Sequence, residues 1–506
     1  MPFGAWLYMQ AQSHTSNSIK PKARRSHQVK INIFGGERCY SGLPNFCASC
    51  AQKFSDDRQL SFDPRHLHFC DSAICRVAFL FCYFFKNYYF CILNLLCRHR
   101  TAQMNRLGNI AKIVGRSLVT LLLVALCIVA ATSISPIYNF AEPQSFSGPD
   151  IFNPYRNIDS SAVWRRANFH THTRIDSPLN ECEYTPSQTL DAYDKLGYDI
   201  VAFTNHNYIT EHPTAEQHSS SYEHGYNLLK FHKVAFGAER VMRFDHLLPI
   251  LPSQRQWQLD LLATECDFLQ LNHPLRTPLT SDDMMRKLSG YTIMELDSGR
   301  STECEYWDVA LSAGHYSFGL ANDDLHYLDR SDKIARRCNF LASPTTHWED
   351  IAQTLTEGGY YSMRLPDYGD GDWGVKWAKN SDLPRITEIG VIDNTTIHLS
   401  LSEPAARVVA YGQDHRILMD VLDVESIGYT LPANEPYARF VVYFNTGEVI
   451  YTNPFARYDK SLSDYPTTNS EHSINIALTI IYNLLIALVC GAIIALTWRF
   501  WRSKHR

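Results

Sequence analysis

The chain has 506 residues, and 52 Asp plus Glu against 47 Lys plus Arg leave a net charge of −5. That balance carries no basic field for a polyanion, so no nucleic-acid partner is expected. With 45% apolar and 20% charged residues, 24 Gly and 23 Pro, the composition excludes disorder and collagen and leaves room for two to four domains.

Residues 1 to 103 show no sustained period of 3.6 or 2 and mix basic residues (Lys20, Lys22, Arg24, Arg25) with eight of the 14 cysteines. Cys47-x-x-Cys50, followed by Cys70 and Cys75, has the wrong second spacing for a zinc knuckle. The apolar stretch from 77 to 97 is broken by Lys86. Met104 begins what reads as an ordinary signal or anchor, so the first 103 residues are read as an upstream extension absent from the functional product.

Residues 104 to 136 form a signal anchor or transmembrane helix: Ser117 to Ser135 is uncharged for 19 positions, near the thickness of a bilayer core. A cleaved secretory signal is the competing reading. Arg106, Lys112 and Arg116 precede the apolar run, which places that flank in the cytoplasm and exports the region beyond the run.

From residue 160 to 380, β-rich runs alternate with capped helices. The runs are 167–173 (ANFHTHT), 199–207 (DIVAFTNHN), 233–241 (KVAFGAERV), 267–274 (DFLQLNHP), 291–298 (YTIMELDS), 317–326 (SFGLANDDLH) and 338–344 (CNFLASP). Thr185 as N-cap, Pro186 at the first helical position, Gln188 three residues on and Gly197 as stop make a complete helix signature. Thr280 with Asp283, and Thr346 with Glu349 and Gly358, repeat it. Strands alternating with such helices imply a parallel sheet, and seven of them without a dinucleotide glycine fingerprint favour a closed or distorted barrel. Cys182, Cys266, Cys304 and Cys338 in this region allow two disulfides or four thiols.

From 384 to 458 the pattern becomes alternating strands without helices, read as a small antiparallel β-sandwich that ends near Asn453 and Pro454. Residues 364–374 are acidic and Gly-rich, but their spacing fails a calcium loop and fits a turn. Residues 459–472 are a polar linker. Residues 473–498 are a second transmembrane helix, flanked by Trp498, Trp501 and a basic cytoplasmic tail, 499–506. The intervening region then lies outside the cytoplasm, periplasmic or extracellular, with the bilayer as a partner.

The runs end in metal-competent side chains: His170 and His172, Asn205 and His206, Glu239, His273, Glu295, and Asp324 and His326. In parallel α/β folds the C-terminal strand ends share one face. Strand alternation sends His170 and His172 to one side, and likewise Asp324 and His326. His and carboxylate ligands of this kind suit zinc, manganese or iron rather than calcium.

The ordered set HTHT, TNHN, GAE, NHP and DLH resembles the polymerase and histidinol phosphatase (PHP) family of metal-dependent phosphoesterases, over about residues 165 to 360. The resemblance implies a distorted (β/α)7 barrel holding two or three divalent ions that hydrolyse phosphate esters of a small molecule, lipid or glycan. It implies that one ion is held by His170, His172, Glu239 and Asp324, and a second by Glu239, His273 and His246. A third would take His206, His326 and a carboxylate from the loop after HTHT, with Asp176 the choice and Glu181 or Glu183 the alternatives. That loop departs from the family's Ser-Asp-Gly turn, and Asn205 stands where the family has Asp, able to orient His206 but bringing no charge. Glu239, His273 and Arg276 are the catalytic candidates, with Arg276 and Arg240 placed to clamp phosphate. A metal hydroxide also cleaves carboxylic or carbamate esters, and a degenerate barrel would serve as a receptor; bound metal separates the last from the enzymes.

Overall fold

The computed structural model describes residues 103–158, 162–177, 180–299, 305–468 and 472–502, with side chains from Ile110 onward. The readings of residues 1 to 102, of Cys304 and of the tail after Arg502 lie outside the described residues. A 29-residue helix, α1 (Gln103–Ala131), comes first. Two short strands follow, β1 (Tyr138–Asn139) and β2 (Asp150–Phe152).

The body opens with β3 (Arg165–Asn168), α2 (Pro186–Asp194), β4 (Ile200–Val201), β5 (Tyr222–His224) and β6 (Lys233–Phe236). It continues with α3 (Pro252–Ala263), β7 (Phe268–Leu271), α4 (Asp282–Met285), β8 (Ile293–Ser298), α5 (Glu305–Ser312) and β9 (Phe318–Asn322). Then come β10 (Arg337–Leu341), α6 (Trp348–Glu357), β11 (Tyr360–Arg364) and α7 (Trp373–Asn380). The β layer holds β12 (Ile386–Ile392), β13 (Thr396–Gly412), β14 (Arg416–Thr430), β15 (Tyr437–Tyr443), β16 (Val449–Thr452) and β17 (Phe455–Tyr458). The last elements are β18 (Ser473–Ile474) and α8 (Ile476–Arg502).

Each of the seven expected runs overlaps a strand, and α2 starts as its sequence dictates. The Thr185 hydroxyl accepts from the Gln188 amide, and the Gln188 side chain accepts in return from the Thr185 amide at 2.9 Å. The other two caps sit one residue later than expected, at Ser281 and His347. Gly358 ends α6 at φ +86°, where a Cβ would strike the Phe318 ring.

The chain is a mixed α/β protein rather than an all-parallel barrel. β3 pairs with β4 in parallel, as β7 does with β8 and β8 with β9. In contrast β5, β6 and β7 run antiparallel in succession, and β10 is antiparallel to both β3 and β11. The physical reason is the connections: β5 reaches β6 through a short loop with no crossover helix, which only antiparallel strands permit. The five-stranded sheet β5-β6-β7-β8-β9 meets the other sheet at β10 through a side chain. The Asn339 amide accepts from Ala321 N and donates to Ala321 O, both at 2.9 Å.

The β layer is not a detached sandwich. β16 pairs antiparallel with β11, so one 11-stranded sheet runs from β12 to β4, and β2 joins it by pairing with β17. Residues 396–412, TIHLSLSEPAARVVAYG, form the single strand β13, with a register shift between Ser400 and Ala405. Asn453 clips the layer to the body: its side chain accepts from Gly319 N and donates to Gly358 O and Tyr360 O. Cys182, Cys266 and Cys338 are thiols.

The two outer helices, α1 from Ile110 and α8, are long and apolar enough to cross a membrane. They lie against each other, with Trp501 Nε1 donating to Thr120 Oγ1 near one end and Tyr482 OH to Ser133 O near the other. Where they meet the body, β1 pairs with β18.

Candidate metal centre

The loop after β3 carries His170 and His172, and it is pinned to the loop after β9 by a bridge between Thr171 and Leu325. His172 N donates to Leu325 O at 2.9 Å, which sets Asp324 beside both imidazoles. His170 Nε2 and His172 Nε2 lie 3.3 Å apart and 3.4 and 3.2 Å from Asp324 Oδ1. All three residues are almost wholly buried. Asp324 and His273 hold positive φ, +49° and +28°, a conformation that side chains adopt at a cost and that recurs at functional sites.

The centre of the cluster is Glu223, at the middle of β5. Its backbone is stitched to the loop after β4: Glu223 N donates to Asn205 O, and Asn207 N to Glu223 O. That brings its carboxylate among five imidazoles. Oε1 is 3.3 Å from His170 Nε2, 3.1 Å from His232 Nδ1 and 3.2 Å from His273 Nε2. Oε2 is 3.3 Å from His172 Nε2 and 3.2 Å from His206 Nε2. Asn272 donates a further bond to Oε1 at 2.8 Å.

A carboxylate from the loop after HTHT does reach His206 and His326, and it is Glu181. Its Oε2 stands 3.5 Å from His206 Nε2 and 3.3 Å from His326 Nε2. Asp176, the first choice from sequence, is exposed, as is Glu183.

Four further expectations are corrected. Glu239 is exposed beyond the end of β6, its amide bonded to Glu265 O. Because β6 runs antiparallel to β7, its C-terminal end points away from the rim that β7 and β9 share, and its start carries His232 to the site instead. His246 is buried elsewhere, its Nδ1 donating to Thr132 O just past α1 and its ring packed on Phe244 and Trp257. Arg240 is 73% exposed and paired with Glu265, so it clamps nothing in the cluster. Asn205 orients the loops rather than His206: it accepts from Thr173 N and donates to the Thr173 and Thr210 hydroxyls.

Arg276 does reach the site, with Nη1 on Asp324 Oδ2. Glu295 lines it from behind, accepting from His170 Nδ1 at 2.9 Å, Asn322 Nδ2 and His273 N. That contact turns His170 Nε2 toward Glu223 and Asp324, an arrangement in which an outer carboxylate orients a ligand imidazole. Glu295→Gln is therefore expected to lower metal affinity by about 10- to 100-fold. Calorimetric titration with zinc or manganese measures this, and unchanged affinity would reduce Glu295 to a packing residue.

Electrostatics prepare His206 and His273 as donors, whereas His170, which burial alone would lower, is raised well above the usual imidazole range by Glu295, then Glu223 and Asp324. Burial drives His206 well below its usual range, against the pull of Glu223. Burial and then Arg276 take His273 down to about 4. The Nδ1 of each is buried with no hydrogen-bond partner among the described residues. Burial alone would raise Glu223, but His206, His170 and His232 hold it well below the carboxylate range. Asp324 is held low in the same way, by Arg276 and His170 against burial.

The donor set fits a divalent metal. His170, His172, Glu223 and Asp324 form one group, and His206, Glu223 and His232 a second, each with ligand atoms within 4.8 Å of one another. A tetrahedral ion with bonds of about 2.0–2.1 Å separates its ligand atoms by about 3.3–3.5 Å. The two imidazoles lie 3.2–3.4 Å from each other and from the nearest oxygens of Glu223 and Asp324, close to that spacing.

The missed residues, Glu223 and His232, lie in the first strand and the loop of a short hairpin, and that strand has three residues and no readable alternation. The signal available was the density of charged and aromatic residues in SYEHGY and KFHK. No family model matches the chain, and no curated protein matches it. Among solved structures the chain is similar to a two-domain protein of Bacteroides vulgatus described as containing a predicted PHP-like metal-dependent phosphoesterase. The identity is 13%, over 62% of this chain and 99% of that one, with a TM-score of 0.31.

Proposed function

We propose that the chain is a membrane-anchored, metal-dependent phosphoesterase. The observation that carries this reading is the convergence of five imidazoles on the one buried carboxylate of Glu223, with Asp324 opposite, at ligand spacing. His170, His172, Glu223 and Asp324 would hold one divalent ion, and Glu223, His206 and His232 another. His273 closes the space beside them, and Glu181 and His326 offer a third position with His206.

Divalent ions there, whether zinc, manganese or iron, supply an attacking water of lowered pKa and neutralise charge on phosphoryl oxygens. The chain's own residues do the rest. Arg276, held at the rim by Asp324, presents a guanidinium to an anionic substrate, which favours phosphate over a neutral carboxylic ester. Glu295 fixes the tautomer of His170, and Asn272 keeps the Glu223 carboxylate in register with the imidazoles.

For the membrane part, α1 and α8 support anchoring by length and apolarity, and Arg499 and Arg502 in the last turn of α8 favour a cytoplasmic tail with the metal centre outside. Full-length protein stripped by a chelator should lose hydrolysis of chromogenic phosphomonoesters or diesters and regain it on adding zinc, manganese or iron(II). Metal-loaded protein inert toward every phosphate ester would overturn the reading.

A further inference from the structure

Two loops that carry metal-centre residues also rest on the segment where the body meets the apolar helices. The first is the loop from β5 to His232. Leu228 N donates to Leu247 O, and Tyr226 N and Asn227 Nδ2 donate to Asp245 Oδ2. The second is the turn after His273. Arg255 donates to Pro278 O and Thr280 Oγ1, and with the same guanidinium to Pro249 O.

The segment from 244 to 251 that receives both loops is fastened to the helix ends. His246 Nδ1 donates to Thr132 O, and Gln254 Nε2 donates to Ser133 O and to Tyr482 OH of α8. A chain of direct contacts thus links the catalytic rim to the last turn of α1. If that turn sits at a bilayer surface, the rim stands over the headgroup layer.

The side chains along this path are apolar where a soluble domain would place charge. Ile250 is 49% and Leu279 60% exposed, and Phe244, Leu275 and Tyr226 are also exposed. Phe244 packs on Trp257 at 5.1 Å, an aromatic pair of the kind enriched at membrane–water interfaces. Arg243 is exposed beside Phe244, and Arg276 lies one residue from Leu275. An apolar rim with cations beside it matches a molecule that has acyl chains below and a phosphate above.

From the juxtaposition of the metal-centre loops, the exposed Ile250, Leu275 and Leu279, and the domain-side ends of α1 and α8, we infer that the substrate is a phosphate ester in the headgroup of a lipid. The lipid belongs to the bilayer that holds the chain itself. The inference rests on the phosphoesterase reading above and adds the source of the ester. In the reaction a water oxygen bonds to phosphorus, the bond from phosphorus to the ester oxygen breaks, and the released alcohol takes up a proton. From a monoester lipid the phosphorus leaves as inorganic phosphate; from a diester it leaves on the headgroup fragment when the bond to the diacylglycerol oxygen breaks, and stays on the lipid when the bond to the headgroup oxygen breaks.

The test uses full-length, metal-loaded protein reconstituted into phosphatidylcholine vesicles that contain phosphatidic acid or phosphatidylglycerol, with p-nitrophenyl phosphate and its bis ester as soluble probes. Lipid in the protein's own vesicles should be hydrolysed, and the same lipid in separately added vesicles should not. The Ile250→Asp/Leu279→Asp double variant should hydrolyse the lipid about tenfold more slowly or worse, the effect of losing about 1.4 kcal/mol of apolar contact. Its rate on the soluble esters should stay within about twofold of wild type, since a change of that size is only about 0.4 kcal/mol. Equal hydrolysis of lipid in its own and in added vesicles would overturn the inference whatever the variant does, as would soluble esters being cleaved while vesicle lipid is not. Absence of hydrolysis of both lipid and soluble esters would overturn the phosphoesterase reading itself.

Discussion

Glu223→Ala is expected to strip the protein of most of its metal and to lower turnover at least about a thousandfold, equivalent to about 4 kcal/mol in the barrier. The carboxylate belongs to both ligand groups, so its loss takes a negative charge from each and leaves five buried imidazoles facing one another. Glu239→Ala, at an exposed position, should match wild type in metal content and turnover within about twofold, under 0.5 kcal/mol. Metal analysis of the two purified variants decides the matter. The reverse result, with Glu239→Ala empty and Glu223→Ala fully loaded, would restore the sequence assignment and disprove the cluster.

That pair of variants marks where the sequence stopped being readable. His170, His172, His206, His273, Asp324 and His326 could be found because each follows a run with strand character, and parallel strands bring such positions to one rim. The rule fails where a strand reverses. β6 runs antiparallel, so the residue beyond its end, Glu239, leaves the site, while the residue before its start, His232, enters it. β5 is too short to show alternation, and Glu223 reaches the centre through backbone bonds to the loop after β4, which no periodicity encodes. Choosing among Asp176, Glu181 and Glu183 likewise depended on the path of an irregular loop. The β layer was legible as strands, but its pairing with β11 joins segments far apart in sequence.

The largest expected effect on stability lies away from the metal. Asp308 on α5 is fully buried and receives Arg439 of β15 in a two-pronged contact, with Tyr437 OH and His415 Nδ1 on the same carboxylate. Asp308→Ala leaves the Arg439 guanidinium buried without its counter-charge, an effect of about 3–5 kcal/mol. Equilibrium denaturation should show it as a lower midpoint at unchanged slope. A loss under about 1 kcal/mol would mean that water or another carboxylate takes over. Burial would raise the Asp308 carboxyl, but Arg439 and then His415 bring it below the ordinary range. A depressed folded value makes the contribution complete at neutral pH, above the unfolded value of about 3.9, and lost as pH falls through the folded value.

The register that joins β2 to β17 also sets a timetable for folding. Phe152 is paired with Ala456, so this early strand waits for its partner until roughly 300 more residues have been made. At synthesis rates of about 5–20 residues per second that interval is about 15–60 s. Throughout it β2, and once Arg364 has been made the open edge of β11 as well, expose unpaired amides and carbonyls, the groups through which nascent chains stick to one another. Synthesis from the N-terminus therefore leaves the 11-stranded sheet unfinished until Val449–Tyr458 has emerged, whereas the β5–β9 sheet has all its strands by Asn322, and a holdase would act on the unfinished sheet in that window.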